Sequence, residues 1–240
     1  RSRTGRFRGR SRYNPTTMRI DEDASIAGLA NEADGRLGVV PDFTRRVISQ
    51  RLADPHAHLS SSEEDLWHRD LIPEGMRLRH AAVLMPLVSR PAGVHLLLTQ
   101  RTSHLKGHAG QISFPGGGVE PADRDRADTA LRETEEEIGL SRDRIEILGA
   151  MPDYELNSGY LVTPVVGWIQ PPYVVAPDPY EVQDVFEIPL RHFLDHRSFQ
   201  RRRYEYDGVV RRYLAAPYDG RYVWGATAGI LYFFFQLLRG

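Results

Sequence analysis

The first eighty residues contain two stretches in which apolar side chains recur at helical spacing. Residues 42–52 carry four such side chains behind Asp42, which is a candidate N-cap. This spacing predicts an amphipathic helix over residues 42–52. A second helix is predicted over residues 61–71, because Ser61 and Glu64 have the spacing of a capping box.

Beyond residue 80 the pattern changes to short apolar runs separated by turn residues. Residues 81–88 and 94–99 flank an Arg-Pro-Ala-Gly turn and predict a β-hairpin. The pair Asp207-Gly208 predicts a second hairpin turn. Further strands are predicted at residues 111–114, 145–151, 162–169, 182–188, 204–206 and 209–214, and a closing helix at residues 224–238.

The clearest helix lies in the middle of this strand-rich region, over residues 125–138. Its small and apolar side chains fall on one stripe, and Gly139 stands where a helix ends. Strands with a few interspersed helices differ from a regular alternation of strand and helix. The pattern therefore predicts an α+β fold, an α/β/α sandwich in which a mixed β-sheet lies between helices.

Composition and charge separate the two ends of the chain. The 240 residues include no cysteine, which excludes disulfides, thiolate metal sites and a cysteine nucleophile. Residues 1–17 hold six arginines and no acid, so the rest of the chain is mildly acidic. We expect residues 1–17 to be a basic tail outside the fold, residues 18–40 a loose lead-in and residues 41–240 one domain. A nucleic-acid-binding arm and a targeting segment are the alternatives for the tail.

The most apolar segment is residues 229–238. It is short of the roughly 20 residues that a membrane span needs, so we expect no membrane partner. A core helix or a homodimer contact is the expected use. No apolar run follows the arginines and the C-terminus is not a Ser-Lys-Leu signal, so a cytoplasmic location is predicted, without a nucleic-acid partner.

Four of the five residues from 133 to 137 are glutamates. On a helix, Glu133, Glu136 and Glu137 are three and four positions apart, so their carboxylates share one face. Like charges packed in this way destabilise a helix, whereas a divalent cation such as Mg²⁺ or Mn²⁺ would reverse that sign. Glycines at 116–118 would allow the backbone to approach the same metal and phosphates. A solvated acidic helix face is the alternative.

The segment from 117 to 140 resembles the box of the Nudix hydrolases, G-x5-E-x7-R-E-U-x-E-E-x-G-U, in which U is a bulky aliphatic residue. Asp123 stands in place of the first glutamate, and one additional residue separates it from Arg132. Thr134 replaces an aliphatic residue. The matching residues are Gly117, Arg132, Glu133, Glu136, Glu137, Gly139 and Leu140.

This resemblance implies a Nudix fold and metal-dependent hydrolysis of a pyrophosphate bond in a nucleotide. It implies that Glu133, Glu136 and Glu137, with Gly117, hold Mg²⁺ or Mn²⁺. It also implies that Arg132 holds Glu133 in place through an ion pair.

Residues 97–117 resemble the additional signature of the coenzyme A pyrophosphatases within the Nudix family. They read Leu-Leu-Thr-Gln-Arg-Thr-Ser-His-Leu-Lys-Gly-His-Ala-Gly-Gln-Ile-Ser-Phe-Pro-Gly-Gly, and only Thr102 departs from the pattern. The resemblance implies hydrolysis of coenzyme A or its derivatives to 3′,5′-ADP and 4′-phosphopantetheine. The residues expected to bind substrate are Arg101, Lys106, His108, Gln111 and Ser113.

The general base has several candidates. Glu133 is one, and Glu181 is another, because it follows a Pro-Asp-Pro-Tyr loop placed to fold over the site. Glu187, Asp153 and Glu155 remain open. The alternative functions are a Nudix hydrolase of another nucleotide, such as ADP-ribose or a dinucleotide, and a non-catalytic nucleotide sensor.

Overall fold

The computed structural model describes residues 20–21, 44–57, 77–105, 109–156, 158–206 and 209–239. The basic tail, the helix predicted at residues 61–71 and the turn at residues 207–208 lie outside these ranges. Within the predicted lead-in, Ile20–Asp21 forms strand β1, which pairs with a strand near the C-terminus. At least this part of the lead-in therefore belongs to a sheet.

The helices lie close to the predicted positions. The helix predicted at residues 42–52 is α1 (Arg45–Ala53), and the central helix is α2 (Arg126–Ile138). A short helix α3 (Leu190–Phe193) was not predicted, and the closing helix is α4 (Ala226–Arg239). Across the described ranges, no helix combines the length and the apolar character that a membrane span requires.

The larger sheet is mixed, as predicted. Its central strand pairs in parallel with one neighbour and antiparallel with the others. Strands β5 and β7 were not predicted. The strands are β2 (Arg79–Arg90), β3 (Gly93–Arg101), β4 (Ile112–Ser113), β5 (Gly116–Gly118), β6 (Ile145–Ala150), β7 (Tyr154–Leu156), β8 (Tyr160–Ile169) and β9 (Val182–Pro189).

Strands β2 and β3 form the predicted hairpin, but they separate away from its turn. Their pairing runs from Arg90 and Gly93 only as far as Leu87 and Leu96. Further along, β5 occupies the vacated edge of β2, opposite residues 81–83, while β3 continues between β9 and β4. The divergence brings the glycine strand β5 next to α2.

Helices cover both faces of the larger sheet. Ala82, Leu84 and Val88 of β2 pack with Ala130 and Ile138 of α2 in one buried cluster. Intervening β2 residues pack in a second cluster with α1 and α4 on the other face. Because β2 is covered on both faces, it reads as a nearly continuous apolar run. The arrangement confirms the predicted sandwich.

A second, antiparallel sheet packs with α4 and was not predicted as a separate unit. It contains β1, β10 (Gln200–Tyr206), β11 (Val209–Tyr218) and β12 (Arg221–Trp224), in the order β1-β10-β11-β12. Buried side chains of β11, β12 and α4 share the core cluster that lies opposite α2. The apolar C-terminal segment is therefore part of the core.

Candidate active site

Both ends of α2 are fixed by side-chain and backbone hydrogen bonds. The Asp125 carboxylate accepts a hydrogen bond of 2.8 Å from the backbone N–H of Asp128, which is N-capping geometry. Gly139 adopts a left-handed conformation with φ of 63°, and its N–H donates to the carbonyl of Glu135 at 3.0 Å. These caps fix which face of the helix presents its glutamates.

The three glutamates of the site differ strongly in exposure. The Glu136 side chain is 60% exposed, Glu133 is 18% exposed and Glu137 is 8% exposed. Burial raises the pKa of Glu137 to about 7, although nearby Arg101 and the Gly116 N–H, 3.3 Å from its Oε2, oppose this. Burial also raises the pKa of Glu133, and Arg132 opposes that increase. A buried carboxylate with too little countercharge is a place where a cation is favoured.

Arg132 connects three carboxylates and one backbone carbonyl. Its Nη1 donates to Glu133 at 2.9 Å and to Glu136 at 3.1 Å. Its Nη2 donates to the carbonyl oxygen of Gly118 at 3.1 Å. The predicted ion pair with Glu133 is present, and Arg132 also fixes the glycine strand against α2.

Asp123, which stands in place of the first glutamate of the box, is the anchor of Arg132. Nε and Nη2 of Arg132 donate to the two Asp123 oxygens at 2.8 and 3.0 Å, a bidentate pair. The Thr129 hydroxyl and the Glu120 N–H also donate to this carboxylate, both at 2.8 Å. Led by the bonds from Arg132, these interactions hold the pKa of Asp123 well below its usual range. Asp123 has a shorter side chain than the glutamate it replaces, and the longer loop compensates by bringing its carboxylate to Arg132.

The glycines of β5 fit closely against α2 and β2. A Cβ atom at Gly117 would lie 2.5 Å from the Cδ and Oε1 atoms of Glu133. At Gly116 the backbone φ is 155°, and a Cβ atom would lie 2.5 Å from the carbonyl oxygen of Ala82. Only glycine at position 117 leaves the Glu133 carboxylate in place beside the strand.

Arg101 and Glu181 meet at the buried end of the glutamate face. Nη1 of Arg101 lies 3.6 Å from Oε1 of Glu137, and Nη2 lies 3.9 Å from Oε2 of Glu181. Thr102, the residue that departs from the signature, is buried, and its hydroxyl donates to the Tyr180 carbonyl at 2.8 Å. The N–H of Thr102 donates to the Glu181 carbonyl at 3.0 Å. The structure thus brings Glu181 to the site.

Of the four remaining residues predicted to bind substrate, the structure describes two, Gln111 and Ser113. The Gln111 carbonyl accepts a 2.9 Å hydrogen bond from the Arg101 N–H, so Gln111 lies beside the site. Ser113 pairs with Thr99 across β3 and β4, and their hydroxyl oxygens are 3.3 Å apart. Lys106 and His108 lie outside the described residues.

Glu187 and Asp153 are engaged by other side chains, and Glu155 lies on strand β7. Glu187 accepts hydrogen bonds from Arg90 and Tyr173, and the pKa of its carboxyl is lowered by these partners against the effect of burial. Asp153 accepts a 2.5 Å hydrogen bond from the hydroxyl of Thr163. Glu155 pairs with Leu161 of β8, and β2 separates β8 from β3 in the sheet. We therefore retain Glu133 and Glu181 as candidates.

Thr134 shows why the box tolerates a polar residue in place of an aliphatic one. Its side chain is fully buried. The hydroxyl donates to the carbonyl oxygen of Ala130 at 2.6 Å, one turn earlier in the helix. The polar atom is thereby satisfied inside α2 and leaves the glutamate face unchanged.

The carboxylates suit a divalent cation, although they do not already surround one point. Within the described ranges, no three acidic or histidine side chains converge as a ready-made metal site, since Glu133 and Glu136 both turn to Arg132. The donors are carboxylate oxygens, which hard cations prefer. Glu137 is buried and burial raises its pKa, so a cation beside it would stabilise its charged form, and the Glu133 carboxylate lies directly against Gly117. The residues therefore fit Mg²⁺ or a similar ion.

Comparisons with known proteins agree with this geometry. A family model described as the NUDIX domain matches residues 78–205. A protein of Escherichia coli (strain K12), named Uncharacterized Nudix hydrolase NudL, is 43% identical over 160 residues, which cover 66% of this chain and 82% of that protein. NudL of Photorhabdus laumondii is 39% identical over 154 residues, covering 64% and 82%.

A solved structure of a C. elegans Ap4A hydrolase binary complex covers 48% of this chain and 82% of its own, with 23% identity and a TM-score of 0.40. The NUDIX model itself spans more than half of this chain. The matched residues include helix α2 with its glutamates, the glycine strand β5 and strand β3 with Arg101. The chain therefore belongs to the Nudix family of hydrolases, which act on phosphoanhydride bonds.

Proposed function

We propose that this protein hydrolyses coenzyme A or a coenzyme A derivative to 3′,5′-ADP and 4′-phosphopantetheine, with Mg²⁺ or Mn²⁺ as cofactor. One observation carries the proposal. Arg101 belongs to the segment that resembles the coenzyme A pyrophosphatase signature, and it contacts both Glu137 of the Nudix box and Glu181. The segment that would select the substrate therefore adjoins the residues that would perform the reaction.

Glu133, Glu136 and Glu137, with Gly117, would hold the divalent ion. When bound, that ion supplies positive charge to the diphosphate and lowers the pKa of a water. Arg132 is a positioning residue in this scheme, because it bonds Glu133 and Glu136 and is itself fixed by Asp123.

We assign the role of general base to Glu181, with Glu133 as the other candidate. The Glu181 side chain is partly exposed, so a water molecule has access to its carboxylate. In the reaction, a water oxygen forms a new bond to one phosphorus of the diphosphate and the bridging P–O bond breaks. The proton released by the water passes to the base, and phosphate oxygens carry the charge of the leaving group.

Arg101, Gln111 and Ser113 are proposed to contact the substrate, together with Lys106 and His108. The guanidinium of Arg101 is suited to this role, because it can pair with phosphate oxygens in the same bidentate way as with carboxylates. It lies between two acids at 3.6 and 3.9 Å, so these contacts are loose enough to exchange for a substrate phosphate.

The test is a substrate panel with metal. Coenzyme A, its disulfide, an acyl-coenzyme A, ADP-ribose and a dinucleotide are incubated with Mg²⁺ and with Mn²⁺, and products are separated by chromatography. We expect 3′,5′-ADP from coenzyme A. Much faster turnover of ADP-ribose than of coenzyme A would overturn the substrate assignment.

Two glutamate variants supply the matched comparison. Glu137→Gln is expected to remove metal-dependent turnover. Glu135→Gln is expected to retain it, because Glu135, two residues earlier on α2, pairs with Arg142 outside the site. If the wild-type protein bound coenzyme A with metal but produced no 3′,5′-ADP, the sensor interpretation would replace the enzyme. A cytoplasmic location and a homodimer remain predictions.

A further inference from the structure

The side chain of Arg221, on strand β12 of the smaller sheet, contacts two strands of the larger sheet beside the candidate site. Nη2 of Arg221 lies 2.7 Å from Oδ2 of Asp184, and Nη1 donates to Oε1 of Gln100 at 3.3 Å. The Arg221 guanidinium carbon lies 3.8 Å from the centre of the Phe186 ring, a cation–π contact. One residue, located beyond the segment that matches the family model, thus joins β3, β9 and β12.

These contacts lie just before an irregularity between β3 and β9. Gln100 pairs with Asp184, but the next residue, Arg101, pairs with Val182, so β9 has one extra residue there. Such a bulge bends a strand and redirects the side chains that follow it. Arg221 therefore clamps the last regular pair before Arg101 turns toward the two carboxylates of the site.

Gln100 and Arg101 also bond to Gly110 and Gln111, and we call this pair of hydrogen bonds the neck. Its Nε2 donates to the carbonyl oxygen of Gly110 at 3.4 Å, while its Oε1 accepts from Arg221. Beside it, the Arg101 N–H donates to the Gln111 carbonyl at 2.9 Å. A change at Arg221 would release one side of this neck without removing any group that faces the substrate.

We propose that Arg221 is a positioning residue for the hydrolysis, acting through Gln100 on Arg101 and on the neck. The inference rests on the proposed function for its effect on turnover. Arg221 and Asp184 are both partly exposed, so their ion pair by itself shifts an equilibrium by no more than about five-fold. Its effect is therefore expected in substrate binding, with little change in the stability of the whole chain.

Kinetics of Arg221→Met provide the first test. Methionine keeps an apolar cover over Phe186 and removes both polar contacts. We expect the KM for coenzyme A to rise about five-fold, with kcat within about two-fold and an unchanged melting temperature. Arg221→Lys keeps the charge but cannot reach Asp184 and Gln100 together, so an intermediate KM is expected. The control is Arg239→Met, because Arg239 covers Phe235 on α4.

Amide hydrogen exchange supplies a second measurement that needs no turnover. The Arg101 N–H donates to the Gln111 carbonyl, so its exchange rate, followed by NMR, reports how often this bond opens. We expect that rate to increase about five-fold in Arg221→Met.

The two measurements separate the failure of this inference from the failure of the proposed function. If the wild type does not hydrolyse coenzyme A, the function is wrong, and the exchange rates of the Arg101 amide still decide whether Arg221 holds the neck. Equal KM values in the wild type and Arg221→Met would overturn the positioning role. An equal rise in KM or in the exchange rate for Arg239→Met would also overturn it, since the effect would then be unspecific.

Discussion

The three adjacent glycines of β5 should respond to alanine in three different ways. At Gly117 the backbone conformation is open to all residues, but the new Cβ atom would lie 2.5 Å from the Glu133 carboxylate. Ordinary carbon contacts begin at about 3.5 Å, so this carboxylate must retreat by roughly 1 Å. Gly117→Ala therefore moves a proposed metal ligand while leaving the fold intact.

The expected cost of that movement is large in rate and small in stability. A misplacement of about 1 Å at a reacting centre lowers a rate on the order of 100-fold. Glu133 is the flexible end of a side chain held by Arg132 at 2.9 Å, so the displaced group can be accommodated without moving backbone. We expect kcat to fall on the order of 100-fold, the Mg²⁺ requirement to rise, and the melting temperature to stay within a few degrees.

Its neighbours provide the controls. At Gly118 a Cβ atom would meet nothing within 4 Å, so Gly118→Ala should leave both activity and stability unchanged. At Gly116 the positive φ and the backbone of Ala82 and Val83, which cannot yield, should cost at least about 2 kcal/mol of folding free energy. Steady-state kinetics, a Mg²⁺ titration and thermal unfolding measure the series. Equal activity in Gly117→Ala and Gly118→Ala would refute the reasoning that Glu133 must occupy its observed position.

Three further predictions concern stability. Asp123→Asn leaves the mostly buried Arg132 without its bidentate acid, so urea unfolding should show a loss of about 3 kcal/mol, and a loss below about 1 kcal/mol would contradict this ion pair. The pKa of Glu137 in the folded state is about 7, above its ordinary value, so folding favours the protonated carboxyl. The contribution of this carboxyl to folding stability is therefore complete below about pH 4.5 and is lost as pH rises through 7. In metal-free protein, Glu137→Gln should therefore be more stable than the wild type at pH 8 by on the order of 3 kcal/mol, and much less so at pH 5, whereas an equal difference at both pH values would be inconsistent with the raised pKa. Gly229→Ala should destabilise the chain by at least about 1 kcal/mol in the same assay, because a Cβ atom there would lie 2.0 Å from the Tyr154 hydroxyl.

The helix that carries the chemistry could be predicted from sequence because every signal for it is local. The apolar stripe and Gly139 at the helix end lie within one segment, and the structure has both in place. The β2–β3 hairpin was predictable for the same reason, since its turn residues adjoin its strands. Glu181 was a candidate because of the loop before it, whereas its closeness to Arg101 follows from the β3–β9 pairing, which sequence does not reveal.

Features set by distant contacts escaped prediction. The strand at Gly116–Gly118 has no side chains to indicate a strand, and it exists because β2 offers a free edge. The role of Asp123 depends on how a lengthened loop folds back onto Arg132, which spacing does not reveal. The clamp made by Arg221 depends on a second sheet, of which local patterns indicated only the β10–β11 hairpin and not the pairing with β1 and β12.

The β3–β9 pairing has a consequence for the order in which the chain folds. Arg101 and Val182 are about 80 residues apart in sequence, so closing this loop carries a large entropic cost before any contact rewards it. Helix α2, with its glutamates, needs only local contacts for its caps. An intermediate with the acidic helix but without the β3–β9 pairing would lack Glu181 beside Arg101, so the proposed activity would return only once this pairing forms.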